Sequence, residues 1–386
     1  MEKISASVKR FDFEDKIRGE AKYTADLRPE ALWFALTLRS TQVRARILKI
    51  TIPDLPQDVV IVDHHDIPCS NIVPIVLKDQ PFLAEEIVNY LGQPILLVVG
   101  PDKKILREVL SSIIVDYEPL RPILSIEEAM GRTSDFIYGD KPTFAQYTYT
   151  KGNPELIQTE GLTVYTDEYR TGYQEHAYLE PHSMLGDYEN GVITVTGSMQ
   201  CPYYIHDALK AVLGWDESRI RVIQAPTGGG FGGKEEFPSI IGVHAALASI
   251  KSGHPVQLVY DRKEDIQAST KRHPSIIKIK SILNSNNDIL LQEIDIKEDA
   301  GAYAGLSSVV LQRGIFSVGG VYNIPNLKIS GATYATNQIV CGAFRGFGGP
   351  QAFFAIESHM EHIADELGIP VLEFKRRFYF KQGDRS

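Results

Sequence analysis

The glycine-rich stretch APTGGGFGGKEEF, residues 225–237, combines residue types that can bind phosphate groups. Gly228, Gly233 and Lys234 fit the pattern G-x-x-x-x-G-K, in which main-chain N–H groups and a lysine bind a triphosphate. Glu235, however, stands where that pattern requires the Ser or Thr hydroxyl that binds Mg²⁺. A nucleoside triphosphatase site is therefore not expected here.

The same stretch fits the dinucleotide-binding pattern G-x-G-x-x-G at Gly228, Gly230 and Gly233. That fold needs its glycines after the first strand of a βαβ unit, with an acidic residue about 20 positions later. Here residues 252–256, SGHPV, lie at that distance, and the loop follows a long strand-rich region. A dinucleotide site is also not expected, and a flexible surface turn is the remaining simple alternative.

A second loop repeats the tetrapeptide GFGG of residues 230–233 at residues 346–349. Each copy leads into a segment with apolar residues at helical spacing, and the first copy also follows a predicted strand, RIRVIQA. A glycine loop at a helix start offers converging N–H groups and a favourable potential for an anion. The repeat therefore indicates one ligand held between two loops, with Phe231 and Phe347 as candidate stacking planes.

The elements that must position these loops are a mixture of strands and helices. Residues 1–125 are predicted to form an α+β domain in which one helix, PDKKILREVLSSI, lies on a mixed sheet. Residues 126–145 show no sustained periodicity and are predicted to be a linker before a second domain, residues 146–386. The strands predicted in the first domain are ALWFALTLRS, ARILKITI, DVVIVD, QPILLVVG and IIVDYEPL. Those predicted in the second are LTVYTDEYRT, GVITVTGSM, RIRVIQA and PVQLVYD.

Composition argues against several classes of protein. The 386 residues are 43% hydrophobic and 23% charged, without an apolar run of membrane-spanning length. The charged N-terminal segment has no signal-peptide core, so we expect a cytoplasmic protein. The net charge of −9 is spread along the chain, so nucleic acid is not an expected partner. Cys69, Cys201 and Cys341 lack C-x-x-C spacing, which argues against a disulfide framework, a zinc site or an iron–sulfur cluster within this chain.

Several longer motifs together resemble the xanthine dehydrogenase and aldehyde oxidase family of molybdenum hydroxylases. TGGGFGGKEE, CGAFRGFGGPQ, EHAYLEPHSM and QRGIFSVGGVYNIPN resemble its molybdenum-cofactor-binding part. RGEAKYTADL, LRSTQVRARI, HDIPCSN, DQPFLA and VNYLGQPILLVVG resemble its hammerhead domain. The resemblance extends from about residue 16 to residue 384. It implies an α+β fold, in which an N-terminal α/β hammerhead domain is followed by the first molybdenum-cofactor-binding domain.

The resemblance implies that the chain binds molybdopterin, expected in its cytosine dinucleotide form, with molybdenum held by the dithiolene of the pterin. No side chain is implied as a direct metal ligand, so His176, Glu180 and His182, which could suggest a metal site, are expected to be structural. By motif position, Gln200 matches the glutamine that hydrogen-bonds near the apical oxo ligand. Main-chain groups implied to face the cofactor are those of Gly229, Gly230, Phe231, Gly232 and Arg345.

Three side chains match substrate-binding positions of the family. Glu235 matches the glutamate that hydrogen-bonds a purine ring, Arg313 the arginine that stabilises negative charge on the substrate, and Phe347 the phenylalanine that stacks on the heterocycle. With Gln200, Glu235 and Arg313 are the implied catalytic residues. The resemblance thus implies hydroxylation of a purine such as xanthine or hypoxanthine, at a carbon next to a ring nitrogen, with water as oxygen donor. The structural alternatives are a first-turn helix acid, an ion-pair partner and a core residue, respectively.

The sequence departs from the family pattern at its end, because the glutamate that acts as general base belongs to a further domain downstream of KQGDRS. We therefore expect a split enzyme whose second chain carries the rest of the molybdenum site; a truncated product is the alternative. Partner subunits carrying [2Fe-2S] clusters and FAD are also expected, in a hetero-oligomer. Two other functions remain open: the same chemistry on nicotinate or another N-heterocycle, and a non-catalytic cofactor-binding or assembly protein.

Overall fold

The computed structural model describes residues 5–10 and 12–384. The strands are β1 (Trp33–Arg39), β2 (Ala45–Thr51), β3 (Val60–Val62), β4 (Ile87–Val88), β5 (Pro94–Gly100), β6 (Ile114–Pro119), β7 (Thr143–Lys151), β8 (Thr163–Thr171), β9 (Ser183–Glu189), β10 (Val192–Gly197), β11 (Ile220–Gln224), β12 (Val256–Val259), β13 (Ser275–Leu283), β14 (Ile289–Gly301) and β15 (Leu327–Ala335). The helices are α1 (Phe13–Arg18), α2 (Lys103–Ser112), α3 (Ile126–Met130), α4 (Pro202–Leu213), α5 (Pro238–Ser252), α6 (Arg262–Ala268), α7 (Ser307–Ser317), α8 (Gly349–Glu366) and α9 (Val371–Arg377).

Within the described residues these strands form three sheets. The order of the seven-stranded sheet is β11-β10-β9-β12-β1-β5-β3, that of the five-stranded sheet is β7-β15-β14-β13-β8, and that of the three-stranded sheet is β4-β2-β6. The parallel pairing of β1 with β12 places Trp33 opposite Val256. One sheet therefore combines strands from the two halves of the chain, and every strand predicted from the sequence is present.

Strand β5 is buried along its whole length because both faces of the seven-stranded sheet are covered. Leu97 and Val99 pack into the core that contains α4 and α5, whereas Leu96 and Val98 pack into the core that contains α2. This alternation is the two-residue period of a strand between two hydrophobic layers. Helix α2 begins where predicted because the Asp102 carboxylate accepts hydrogen bonds from the first N–H groups of the helix.

Helix α5, which follows the first glycine loop, is packed deep in the molecule. Its residues 238–249 are all buried, so the helix has no solvent face over three turns. A Cβ atom on Gly186 of β9 would overlap the Ala245 carbonyl group, which shows how closely the helix lies on the sheet. The first loop thus ends at a rigid support.

Helices α7 and α8 pack together on the five-stranded sheet, and α8 follows the second glycine loop. Ile356, Met360 and Ile363 of α8 lie in the same core as residues of β13, β14 and β15. The segment predicted as a linker contains α3 and the beginning of β7, an edge strand that pairs with β15 and exposes much of its length. Among the described residues, no helix combines the length and apolar character needed to cross a membrane.

Candidate functional site

The two GFGG copies adopt the same main-chain conformation. Phe231 and Phe347 have φ angles of 52° and 47°, and the glycine after each has φ of 102° and 81°. In each copy the last glycine donates its N–H to the first carbonyl, at 2.8 Å for Gly233 to Gly230 and 3.0 Å for Gly349 to Gly346. Non-glycine residues rarely adopt positive φ, and functional sites are among the places where such strained conformations cluster. The sequence repeat is therefore a repeated turn.

The two loops lie directly against each other. The N–H of Arg345 donates to the carbonyl oxygen of Phe231 at 2.9 Å, and a Cβ atom on Gly232 would come within 2.7 Å of the Ala343 oxygen. Arg345 is one of the residues whose main chain the family resemblance implies to face the cofactor, and this hydrogen bond occupies its N–H. The Arg345 carbonyl is also occupied, because it accepts a hydrogen bond from Arg272 at 3.1 Å. In this structure the Arg345 main chain joins the loops.

Three consecutive N–H groups of the first loop, those of Gly229, Gly230 and Phe231, have no hydrogen-bond acceptor among the described residues. They belong to a segment whose glycines approach other groups too closely to carry a side chain; a Cβ atom on Gly230 would overlap Oε1 of Gln200. Unpaired N–H groups on a glycine loop before a helix can donate hydrogen bonds to oxygen atoms that carry negative charge.

Gln200 completes this arrangement from a position two residues before α4. Its Oε1 accepts hydrogen bonds from the N–H groups of Gly232 at 2.9 Å and Lys234 at 3.3 Å. Because both partners are main-chain donors, the oxygen of the amide must face the loop. The Nε2 group then points elsewhere, and within the described chain it has no acceptor. An NH₂ donor is thus left available beside three unpaired N–H groups.

The Lys234 ammonium group lies beneath the loop and is fully buried. It donates to the Glu180 carbonyl at 2.7 Å, to Glu180 Oε2 at 3.0 Å and to Ser198 Oγ at 2.9 Å. Glu180 Oε2 also accepts the N–H of Gly228 at 2.7 Å, and burial lowers the pKa of Lys234. The lysine therefore stabilises the loop through Glu180 and Ser198, and its ammonium group is not available to a phosphate. This agrees with the conclusion that the loop is not a nucleoside triphosphate site.

Two buried histidines hold the loops from the side. His182 Nε2 donates to the Gly233 carbonyl at 3.0 Å, and its Nδ1 lies 2.5 Å from the Asp265 carboxylate. Burial alone would raise the pKa of Asp265, but the combined effects of His182, Tyr178 and Arg262 outweigh it and lower that pKa. His176 Nε2 donates to the Ala343 carbonyl at 2.8 Å, and burial lowers the pKa of His176 to about 4. Its ring is neutral at pH 7 and stabilises the second loop.

The side chains considered above as a metal site contact separate parts of the two loops: His176 bonds to Ala343, Glu180 to Gly228 and His182 to Gly233. Among the described residues, the group of side chains close enough to share a metal ion is a different one, Asp63, His64 and His65, on the surface of the first half of the chain. The three candidates thus form a supporting framework for the loops. Sequence reasoning missed a fourth member of this framework, Glu236. The sequence feature that could have pointed to it is its position next to Glu235.

The predicted substrate-binding side chains lie on the two loops and on α7. Glu235 is half-buried in the turn before α5, and its carboxylate has no hydrogen-bond partner among the described residues. Burial raises the pKa of Glu235. Phe347 is partly exposed and is not a core residue. Neither side chain is therefore used to stabilise the chain's own core.

Arg313 is exposed on α7, and its guanidinium group has no ion-pair partner in the described part of the chain. The next residue, Gly314, lies against the second loop, since a Cβ atom on Gly348 would come within 3.1 Å of the Gly314 nitrogen. Helix α7 therefore brings Arg313 next to the loop that carries Phe347. The alternative interpretation of Arg313, a structural ion pair, finds no partner among the described residues.

Comparison with known proteins agrees with this geometry. The α/β hammerhead domain of aldehyde oxidase and xanthine dehydrogenase matches residues 18–121, and the molybdopterin cofactor-binding domain matches residues 137–379. The chain is 34% identical to a probable xanthine dehydrogenase subunit of Bacillus subtilis over 379 residues, which cover 97% of this chain and 51% of that protein. It is 31% identical to the nicotinate dehydrogenase large molybdopterin subunit of Eubacterium barkeri, covering 95% of this chain and 87% of that protein.

Among solved structures, the aldehyde oxidoreductase of Desulfovibrio gigas superposes with a TM-score of 0.89 at 25% identity. The match covers 98% of this chain and 43% of that one. The chain thus spans about half the length of the Bacillus subtilis relative and less than half of the Desulfovibrio gigas structure.

Proposed function

This chain belongs to the xanthine dehydrogenase and aldehyde oxidase family of molybdenum hydroxylases, and we propose that it carries the molybdenum-cofactor site of an enzyme that hydroxylates a purine. Xanthine and hypoxanthine are the substrates favoured, with attack at a carbon next to a ring nitrogen and water as oxygen donor. One observation carries the proposal: two side chains of opposite charge, Glu235 and Arg313, have no partners in the described chain and stand beside a pair of loops with unused donors.

The residues present fit the implied cofactor. The unpaired N–H groups of Gly229, Gly230 and Phe231, with Nε2 of Gln200, are four donors suited to oxygen ligands. When bound, molybdopterin with its molybdenum supplies the two-electron oxidation and oxygen-transfer chemistry that no side chain of this chain provides. We propose the cytosine dinucleotide form, which the main chain of the first loop and Gln200 would hold, with the second loop beside them.

Each substrate-binding residue has a defined task in this proposal. The Glu235 carboxylate accepts a hydrogen bond from a ring N–H, and its partial burial strengthens that bond. The Arg313 guanidinium stabilises negative charge that develops on the substrate oxygen and ring. The Phe347 ring stacks on the flat heterocycle. Edge hydrogen bonds and a stacking face suit a flat polar heterocycle such as a purine.

We propose a second polypeptide that covers this site. An arginine stabilises developing charge best where water is excluded, yet Arg313 is exposed and the Phe231 ring is 49% exposed. Leu179, Tyr203 and Phe316, apolar residues near the loops and α7, are 91%, 79% and 76% exposed. A partner chain that supplies the general base would bury these groups. We assign [2Fe-2S] clusters and FAD to further subunits of the same hetero-oligomer.

Nicotinate is the second candidate substrate, and the named Eubacterium barkeri relative, of which this chain covers 87%, favours it. A non-catalytic assembly protein is the third possibility. Purification from the native host, followed by measurement of molybdenum and co-purifying chains, separates the enzyme from the assembly protein. Dye reduction with xanthine and with nicotinate then separates the substrates. Molybdenum-loaded protein that oxidises nicotinate but not xanthine would overturn the purine assignment.

A further inference from the structure

Glu236 reaches from the end of the first loop to the second. Its side chain is buried, with the residue 4% exposed, and Oε1 accepts the N–H of Ala343 at 3.0 Å. A Cβ atom on Gly342 would overlap this oxygen, so the carboxyl group occupies space that only a glycine leaves open. The contact joins two residues that are 107 positions apart.

Ala343 is held from two directions. Its N–H is bound by Glu236, and its carbonyl accepts the hydrogen bond from His176 Nε2 at 2.8 Å. Two residues further on, Arg345 donates to Phe231 at 2.9 Å. These three bonds determine the path of the second loop immediately before the turn that places Phe347. A shift at Ala343 would therefore be transmitted to the Phe347 ring.

We propose that Glu236 is a positioning residue that holds the second loop against the first and thereby determines where Phe347 meets the substrate. The effect of Glu236 on substrate binding rests on the proposed function. Its role in holding the two loops together rests on the hydrogen bonds alone.

The surroundings of the second carboxyl oxygen indicate whether Glu236 holds the loop as a carboxylate or as a protonated acid. Oε2 is buried and has no hydrogen-bond partner among the described residues. Burial, with a smaller effect of the neighbouring Glu235 charge, raises the pKa of Glu236 to about 7. The protonated acid is therefore well populated near neutral pH, and glutamine has its shape and keeps the acceptor for Ala343. Alanine removes the acceptor.

The first test measures hydrogen exchange of the purified 386-residue chain, which needs no catalysis. Glu236→Ala should speed amide exchange of residues 342–348 about tenfold, the loss expected for one buried hydrogen bond, whereas Glu236→Gln should leave it unchanged. Gln292→Ala is the matched control: it truncates an equally buried polar side chain, which donates to Ser281 at 3.1 Å in the five-stranded sheet. Wild-type exchange in Glu236→Ala, or the same local rise in Gln292→Ala, would overturn the positioning role.

The second test uses the molybdenum-loaded holoenzyme with xanthine. Glu236→Ala should raise KM about tenfold while kcat per bound molybdenum stays within about threefold, and Glu236→Gln should restore KM. A lower kcat at unchanged KM, or a loss confined to molybdenum content, would contradict the effect on Phe347. If the wild-type holoenzyme oxidises no heterocycle, the proposed function fails while the exchange experiment still decides the role of Glu236.

Discussion

The main-chain N–H of Arg345, the residue before the second GFGG copy, donates to the carbonyl oxygen of Phe231 in the first copy at 2.9 Å, which joins two loops more than a hundred residues apart in the sequence. Both copies form the same turn, with a phenylalanine at the second position of each. The hydrogen bond makes the two loops neighbours, so Phe231 and Phe347 lie on adjacent turns. Two side chains from outside the loops, Gln200 and His176, hold the first and the second loop respectively, and Glu236 at the end of the first loop bonds to the second. The site is therefore a preorganised frame, and its parts can be tested separately.

Arg313→Ala should lower turnover with xanthine by about 10²–10³-fold, since it removes the group proposed to stabilise developing charge. Molybdenum content should be retained, because the guanidinium has no partner in the described protein. Steady-state kinetics normalised to bound molybdenum provide the measurement. Gln312→Ala, an exposed neighbour on the same helix, is the control. Near-normal turnover in Arg313→Ala would remove the assigned role.

Glu235→Ala should reduce kcat/KM for xanthine relative to nicotinate by about 10–100-fold, the effect of losing a hydrogen bond to a charged acceptor. Cofactor loading should change much less, since the Glu235 carboxylate makes no hydrogen bond to the described residues of either loop. Glu235→Gln keeps the side-chain volume and part of the hydrogen bonding, so its ratio of kcat/KM for xanthine to that for nicotinate should lie between those of the wild type and Glu235→Ala. An unchanged ratio between the two substrates would count against the purine contact.

Gly230→Ala should lower the molybdenum content of the purified protein. The added Cβ atom would overlap Oε1 of Gln200, which would displace the amide and the N–H groups next to it. Gly172→Ala, where a Cβ atom meets nothing within 4 Å, provides the control for a glycine substitution as such. Metal analysis of both variants gives the result, and equal molybdenum in the two would argue against the first loop as the cofactor cradle.

His176 should make stability depend on pH in a defined window. Burial lowers its pKa from 6.5 to about 4, so the unfolded chain takes up a proton first as the pH falls. The free energy of unfolding should therefore decrease between pH 6.5 and pH 4, by on the order of 3 kcal/mol. His176→Gln, which keeps a donor for Ala343, should lack this component. Urea unfolding of both proteins at about pH 7 and about pH 4.5 measures it, and parallel profiles would refute the prediction.

Gly342→Ala should destabilise the chain strongly in the wild-type background and less in the Glu236→Ala background. The added Cβ atom would overlap the Glu236 carboxyl group, whereas Thr270 Cβ, at 3.0 Å, is a milder obstacle. A double-mutant cycle of thermal unfolding gives the coupling free energy of the pair. Additive effects of the two substitutions would show that the carboxyl group does not fill this space.

Sequence patterns alone predicted a large part of this molecule. Strand β5 was predicted from an apolar run, helix α2 from the segment PDKKILREVLSSI, and the two glycine loops from the repeated tetrapeptide, because each pattern depends on residues close together in the sequence. The family was identified from several long motifs taken together, those around Gly230 and Phe347 among them. The edge strand β7 was among the strands missed, because its exposed alternation leaves no clear apolar pattern.

Only the tertiary structure decided which groups remain free for a ligand. The glycine pattern around Lys234 does not reveal that its ammonium group is buried on Glu180, nor does the motif around Arg345 reveal that its N–H is bound to Phe231. Glu235 and Glu236 are identical in type and adjacent, yet one is half-exposed without a partner among the described residues and the other is buried against Ala343. Glycine spacing sets the local shape of a loop, but its hydrogen-bond partners come from segments that meet only when the sheets and helices pack.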